Sequence, residues 1–169
     1  METNTASLIC QQLNCGKKKN VALKGTATQS SQYDSYGAAG NAIDGNRNTK
    51  YTDGSCTHTK QDSKPWWRLD LQDVFTVTSV TITNRGDCCS ERINGAEIRV
   101  GNSLDDNGNQ NPLYTVLLSL LSSSFQCNWT MGRYVNVVLP KSGILTLCEV
   151  EVNGHDSSGW YKPERCLSY

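Results

Sequence analysis

Short runs of alternating or β-branched apolar residues recur along the chain, and no segment sustains the period of an amphipathic helix. The runs fall at residues 21–28, 66–71, 74–83, 96–100, 114–118, 134–139 and 144–152. Between them, Asn94-Gly95, residues 106–112 and residues 140–143 hold the Gly, Asn, Asp and Pro that break strands and seed turns. Residues 37–43 can form one helical turn. Many short strands with polar loops and no internal repeat predict an all-β fold, a β-sandwich of jelly-roll type. The pattern places one domain at residues 20–152. A polar extension, 1–19, holds Cys10 and Cys15, and a second, 153–169, holds Cys166 and no strand pattern.

Composition narrows the setting. A chain of 169 residues can fill one well-buried core. Sixteen basic and sixteen acidic residues leave no net charge. The only basic run, Lys17-Lys18-Lys19, lies in the amino-terminal extension, so the basic stripe expected of a nucleic-acid binder is missing. No apolar run reaches membrane-spanning length. Eight cysteines imply an oxidising compartment, where Asn128-Trp129-Thr130 would be a glycosylation acceptor. The start, Met1-Glu2-Thr3-Asn4, lacks the basic and apolar regions of a secretory leader, so the expectation is a mature secreted form carrying a start methionine.

The chemistry concentrates at His58 and in the run Arg85-Gly86-Asp87-Cys88-Cys89-Ser90-Glu91-Arg92. Two guanidiniums, each with five fixed donors, join an imidazole with one donor and one acceptor. With a cysteine pair as apolar edge, this set complements a sugar, which is a ring of hydroxyls around a weakly apolar face. The plain alternative is that both arginines pair with Asp87 and Glu91 on the surface. Neighbouring α-carbons lie about 3.8 Å apart, below the usual disulfide range of about 4.4–6.8 Å, so a Cys88–Cys89 bridge must distort its peptide. The alternative is pairing elsewhere, among about a hundred possible sets. Asn41, Asp44 and Asn46 surround Gly45 and can direct several oxygens at one point, as a hard cation requires; an ordinary Asx-rich turn has the same composition.

Three other readings compete. Two histidines, no evident carboxylate pairing and no nucleophile or phosphate-loop motif argue against an enzyme. Arg85-Gly86-Asp87 is the short integrin-type attachment tripeptide, a match that arises easily by chance. Residues 117–125 are apolar enough to suggest a lipid- or protein-binding tip.

The spacing of His58, Arg85 and Arg92 resembles the fucose-binding motif of F-type lectins (fucolectins). Asn20-Val21-Ala22-Leu23, Asn41-Ala42-Ile43-Asp44-Gly45-Asn46, Pro65-Trp66-Trp67-Arg68-Leu69-Asp70-Leu71, Gly132-Arg133-Tyr134-Val135 and Leu147-Cys148-Glu149-Val150-Glu151-Val152 extend the likeness across the central region. The resemblance implies a discoidin-like jelly roll. It implies a site in which His58, Arg85 and Arg92 hold terminal α-L-fucose, a bridged Cys88–Cys89 packs on the sugar's carbon edge, and Asp87 supports an arginine. Tyr33, Tyr36, Tyr51 and Thr52 fall in loops that line the methyl pocket of relatives, and the 32–40 loop is shorter than in some. A structural Ca2+ is implied at Asn41, Asp44, Asn46, Ser55, the Cys148 carbonyl and Glu149, with Cys56 bonded to Cys148. One departure stands out: Tyr114 occupies a position that is a cysteine in many relatives, leaving Cys127 to pair among Cys10, Cys15 and Cys166. The implied partners are fucosylated glycans, with membranes met only through glycans, in an oligomeric lectin of innate defence. A discoidin-like module for lipid or protein surfaces is the alternative.

Overall fold

The computed structural model describes residues 19–118 and 120–156. Six strands form its framework: β1 (Thr26–Gln29), β2 (Trp66–Thr83), β3 (Glu97–Gly101), β4 (Leu113–Val116), β5 (Ser122–Val138) and β6 (Glu149–Asp156). The hydrogen-bonded order is β1-β2-β5-β3-β4, with β6 on β2. Two long antiparallel strands, β2 and β5, run through both layers of a jelly-roll sandwich. The first half of β2 pairs β1 and the end of β5, from Trp66↔Val138 to Asp70↔Tyr134. Its second half pairs β6 and the start of β5, from Phe75↔Gly132 to Thr83↔Ser122.

Between Asp70 and Phe75 the register breaks and β2 turns a corner. Gln72 takes a left-handed φ of 70° there, its N–H donating to Asp70 Oδ1 at 2.8 Å. Arg133 donates to both Asp70 oxygens, at 2.8 and 2.9 Å, and so ties the bend to β5. The two expected strands at 66–71 and 74–83 are therefore one strand with a corner. A second irregularity at Thr78 shifts the register against both β5 and β6. One extra residue there lets Val77 and Val80, three apart, both face the core.

That core is one cluster, including Trp67, Leu69 and Leu71 from the first half of β2, and Val77, Val80 and Ile82 from the second. Ile98, Val135, Val137, Val150 and Val152 close it from the other strands. The Trp67 indole N–H donates to Ala39 O at 2.9 Å, so the largest buried ring brings no orphaned donor.

Three elements differ from their expected form. Val21–Lys24 is a 3-10 turn: the Asn20 side chain accepts from both Ala22 N and Val152 N, curling the backbone while Val21 and Ala22 still bury. Strand β5 begins at Ser122, where three serines show no apolar alternation. The last strand starts only at Glu149 and runs past 152 to Asp156, because residues 145–147 zip instead to residues 57–59. The expected helical turn is the 3-10 turn Ala39–Ile43. Among the described residues no helix is long and apolar enough to cross a membrane.

Leu69 is fully buried between the layers. Leu69→Ala is expected to lower unfolding free energy by about 3 kcal/mol in a urea titration; a loss below about 1 kcal/mol would place Leu69 outside the load of the core.

Candidate functional site

The site begins with the 57–59 zipper. Thr57 N donates to Leu147 O at 2.7 Å and Thr59 N to Leu145 O at 3.1 Å. The two threonine hydroxyls accept from Leu147 N and Leu145 N. Cys56 is bonded to Cys148 alongside. His58, between the threonines, is only 5% exposed. Its N–H donates to Gly37 O, and a Cβ at Gly37 would lie 2.7 Å from His58 Cβ, so only glycine fits against it.

Hydrogen bonding decides the His58 tautomer. Nδ1 lies 2.8 Å from Thr59 O, which can only accept, so Nδ1 carries the proton. Nε2 is therefore an acceptor, and an Arg92 NH1 group donates to it at 3.1 Å. Tyr33 covers one side of the ring at 4.6 Å between centroids and Tyr51 lies at 5.0 Å. Burial pushes the imidazole below its ordinary pKa, and the Arg92 and Arg85 charges push the same way. A neutral ring is what the geometry needs.

Arg85 follows directly on β2 and Asn84. The Asn84 side chain accepts from Arg85 N and donates to Ser90 O, closing the loop from both ends. The Arg85 guanidinium donates to Asp87 through Nε at 2.7 Å and NH2 at 3.1 Å, and stands 4.7 Å above the Tyr51 ring. This pairing holds the Asp87 carboxyl below its usual range. The pair spends two of the five guanidinium N–H groups on position and leaves others for a ligand. Arg85 is buried and clamped to its own tripeptide's aspartate, a poor posture for an attachment peptide. Arg92 has no carboxylate partner among the described residues.

Cys88 and Cys89 are bonded to each other. Cys88 is exposed and Cys89 half-buried, the latter with a left-handed φ of 61°. Cys89 O accepts from Arg92 N at 3.1 Å, so the ring heads the 3-10 turn Ser90–Ile93 that carries Arg92. Gly86 closes against Thr49: its N–H donates to Thr49 O, and a Cβ would meet Thr49 Oγ1 at 2.7 Å.

Beneath this lies a second polar knot. Glu149 is fully buried. Its Oε1 accepts from Gly45 N at 3.1 Å, and its Oε2 has no partner. Burial pushes its carboxyl up to about 7, with Asp44 and Glu151 adding to the rise. Arg47, the nearby cation, is spent on Glu151. Asn41 Nδ2 donates to Tyr36 O and Cys56 O, Ser55 Oγ donates to Lys50 O, and Cys148 N donates to Thr83 O. The Asp44 and Asn46 side chains each accept from the backbone two residues on. No cluster of three or more His, Cys, Asp or Glu among the described residues could hold a metal. A buried carboxylate oxygen without a partner, next to the Asx-rich turn at Gly45, nonetheless fits a hard cation.

Asp34, whose carboxylate accepts from the Tyr51 hydroxyl, and Gly37, which His58 packs against, carry no sequence signal of their own: each acts through a contact with a distant segment. Cys10, Cys15 and Cys166 fall outside the described residues, and with them the pairing of Cys127.

The geometry can be set beside known proteins. Fucolectin-4 of Anguilla japonica is 56% identical over 144 residues, 80% of each chain, and the Anguilla anguilla fucolectin is 52% identical, covering 80% of this chain and 91% of its own. The chain belongs to the fucolectin family. A family profile for the NedA-like, galactose-binding domain matches residues 41–137. Among solved structures, the fucolectin from striped bass (Morone saxatilis) serum superposes with a TM-score of 0.80 and 53% identity over 83% of this chain; the match spans half of the bass protein. The lectin domain of lectinolysin, solved with Lewis B antigen, gives 0.71 and 30% over 85% of this chain and all of that one.

His58 is expected to protonate only below the ordinary value of about 6.5. Its folded pKa is the lower one, so its contribution to stability is complete above about 6.5 and is lost as pH falls from there through the folded value. An NMR titration of the imidazole that found a pKa above the ordinary value would contradict this environment.

Proposed function

We propose that this fucolectin-family chain is a lectin that captures terminal α-L-fucose on glycans without chemical turnover. The observation that carries the reading is the neutral His58 acceptor held against the Arg92 guanidinium, with a buried Arg85 sharing the Tyr51 ring. An axial sugar hydroxyl can donate to Nε2 while accepting from an arginine, using both of its capacities at once. Hydrogen bonds to charged groups contribute about 1.5–3 kcal/mol each, and the planar guanidinium suits the task better than a lysine ammonium. The exposed Cys88–Cys89 ring offers the apolar edge for the sugar's carbon face. Lectinolysin's domain with Lewis B, at 30% identity, supports the same ligand class.

The calcium reading rests on Glu149. Asn41, Asp44, Asn46, Ser55, the Cys148 carbonyl and Glu149 would hold Ca2+, which would supply the counter-charge that the buried carboxylate lacks. The disulfides Cys56–Cys148 and Cys88–Cys89, which persist in oxidising compartments, support a secreted protein, and a role in innate recognition fits such a sugar binder. One shallow site gives affinities on the order of 4–8 kcal/mol. Oligomerisation would raise the effective affinity about 100-fold without new contacts.

A second reading has one observation in its favour. Leu118, Leu120 and Leu121 are 68%, 58% and 59% exposed beside the sugar loop, while Leu117 is buried. Liposome binding that ignores free fucose would favour a lipid-facing module.

Calorimetric titration with L-fucose is expected to give saturable binding near one site per chain, with D-galactose inert. Arg92→Ala is expected to weaken fucose binding at least about 10-fold with the fold intact, from the loss of one charge-assisted bond. Unchanged affinity in that variant would remove the site assignment. Chelation of calcium is expected to lower Tm by several degrees, about 1–2 kcal/mol at the midpoint. An identical melting curve with and without chelator would remove the cation.

A further inference from the structure

We propose that Asp34 is a positioning residue of the sugar site, holding the Tyr51 ring against which His58 and Arg85 are set. The inference rests on the fucose reading above and concerns a residue that makes none of that reading's contacts.

Tyr51 is the hub of the cluster. Its ring is buried, the Arg85 guanidinium stands 4.7 Å above it, and His58 lies 5.0 Å away. What fixes that ring in rotation is its hydroxyl, which donates to Asp34 Oδ1. The same carboxylate oxygen accepts from Tyr36 N at 2.9 Å, so one atom pins both the ring and the 33–37 loop. The loop returns the contact: Tyr33 N donates to His58 O, and the Tyr33 ring lies 4.6 Å from the imidazole. Asp34 thus sits where the two aromatic walls of His58 are tied together.

The charge states hold the tie closed. The Tyr51 hydrogen bond keeps the Asp34 carboxyl below its usual range. Burial, together with Asp34, drives the Tyr51 hydroxyl well above its ordinary pKa. At neutral pH the pair is a fixed donor and a fixed acceptor. Losing Asp34 would leave a largely buried hydroxyl without its acceptor and free the ring that backs both sugar-holding side chains. Asp34 makes no hydrogen bond to His58, Arg85 or Arg92, and the contact that reaches both His58 and Arg85 is the one through the Tyr51 ring.

The test is calorimetry with L-fucose on the full chain and on Asp34→Ala, Tyr51→Phe, the double variant, and Asp34→Asn. Asp34→Ala and Tyr51→Phe are each expected to weaken binding about 10-fold, and the double variant about as much as either alone, because both cut one link. Asp34→Asn keeps a carbonyl acceptor for the hydroxyl and is expected to recover most of the affinity. In the Tyr51→Phe background that recovery should vanish. A wild-type chain that binds fucose while Asp34→Ala stays within about twofold of it would overturn this inference alone, as would losses that multiply in the double variant. A wild-type chain that ignores fucose would overturn the fucose reading and this inference with it.

Discussion

The pairing of residues 57–59 with residues 145–147, locked by Cys56–Cys148, is the constraint on which the rest of the functional end depends. It joins segments 92 residues apart. Upward it presents His58 between two threonines whose side chains complete the backbone pairing. Downward it delivers Cys148 and Glu149 under the turn at Gly45. Closing a loop of that size in the unfolded chain is worth about 4.6 kcal/mol in the chain-entropy account. The same bond that stabilises the domain therefore also decides where its most polar buried groups lie.

The titratable side chains of the domain are kept by two opposite electrostatic solutions. His58 gives up its charge: burial and neighbouring guanidiniums keep it neutral, which turns Nε2 into an acceptor. Asp34, Asp70 and Asp87 keep theirs, each beside a donor that lowers its pKa. Glu149 falls between, buried with one oxygen answered by a backbone N–H and the other unanswered. The contrast separates an upper cluster whose charges are answered within the chain from a lower one that leaves a buried carboxylate oxygen unanswered.

Much of the fold was legible in the chain because alternation and turn residues act locally. Residues 66–71 and 74–83 lie on strands of the sandwich, as do the runs at 96–100 and 134–139 except for Ala96 and Leu139 at their ends. What sequence could not show was continuity around a corner: only the Asp70–Arg133 pair reveals that two apolar runs are one strand. Nor could it show that the serines at 122–124 extend β5, since that strand is imposed by pairing to β2 across Thr81–Thr83. At the site, residue types and spacing pointed to His58, Arg85 and Arg92. Asp34 stayed silent because nothing local distinguishes an aspartate bonded to a tyrosine 17 residues away. The long-range contacts are set by the loops' return to one end of the sandwich, and that is tertiary information.

The Arg85–Asp87 clamp has a consequence for which sugars the site can prefer. The Arg85 guanidinium, already matched to a carboxylate, presents little net charge, so an anion gains little long-range attraction from that side chain. A neutral hydroxyl, by contrast, finds N–H groups already aimed. The arginine also arrives ordered, so a ligand need not freeze a side chain that carries about 2 kcal/mol of rotamer entropy. What Arg85 contributes to recognition is thereby moved from charge to the direction of its remaining N–H groups, which a neutral hydroxyl can meet as well as an anion.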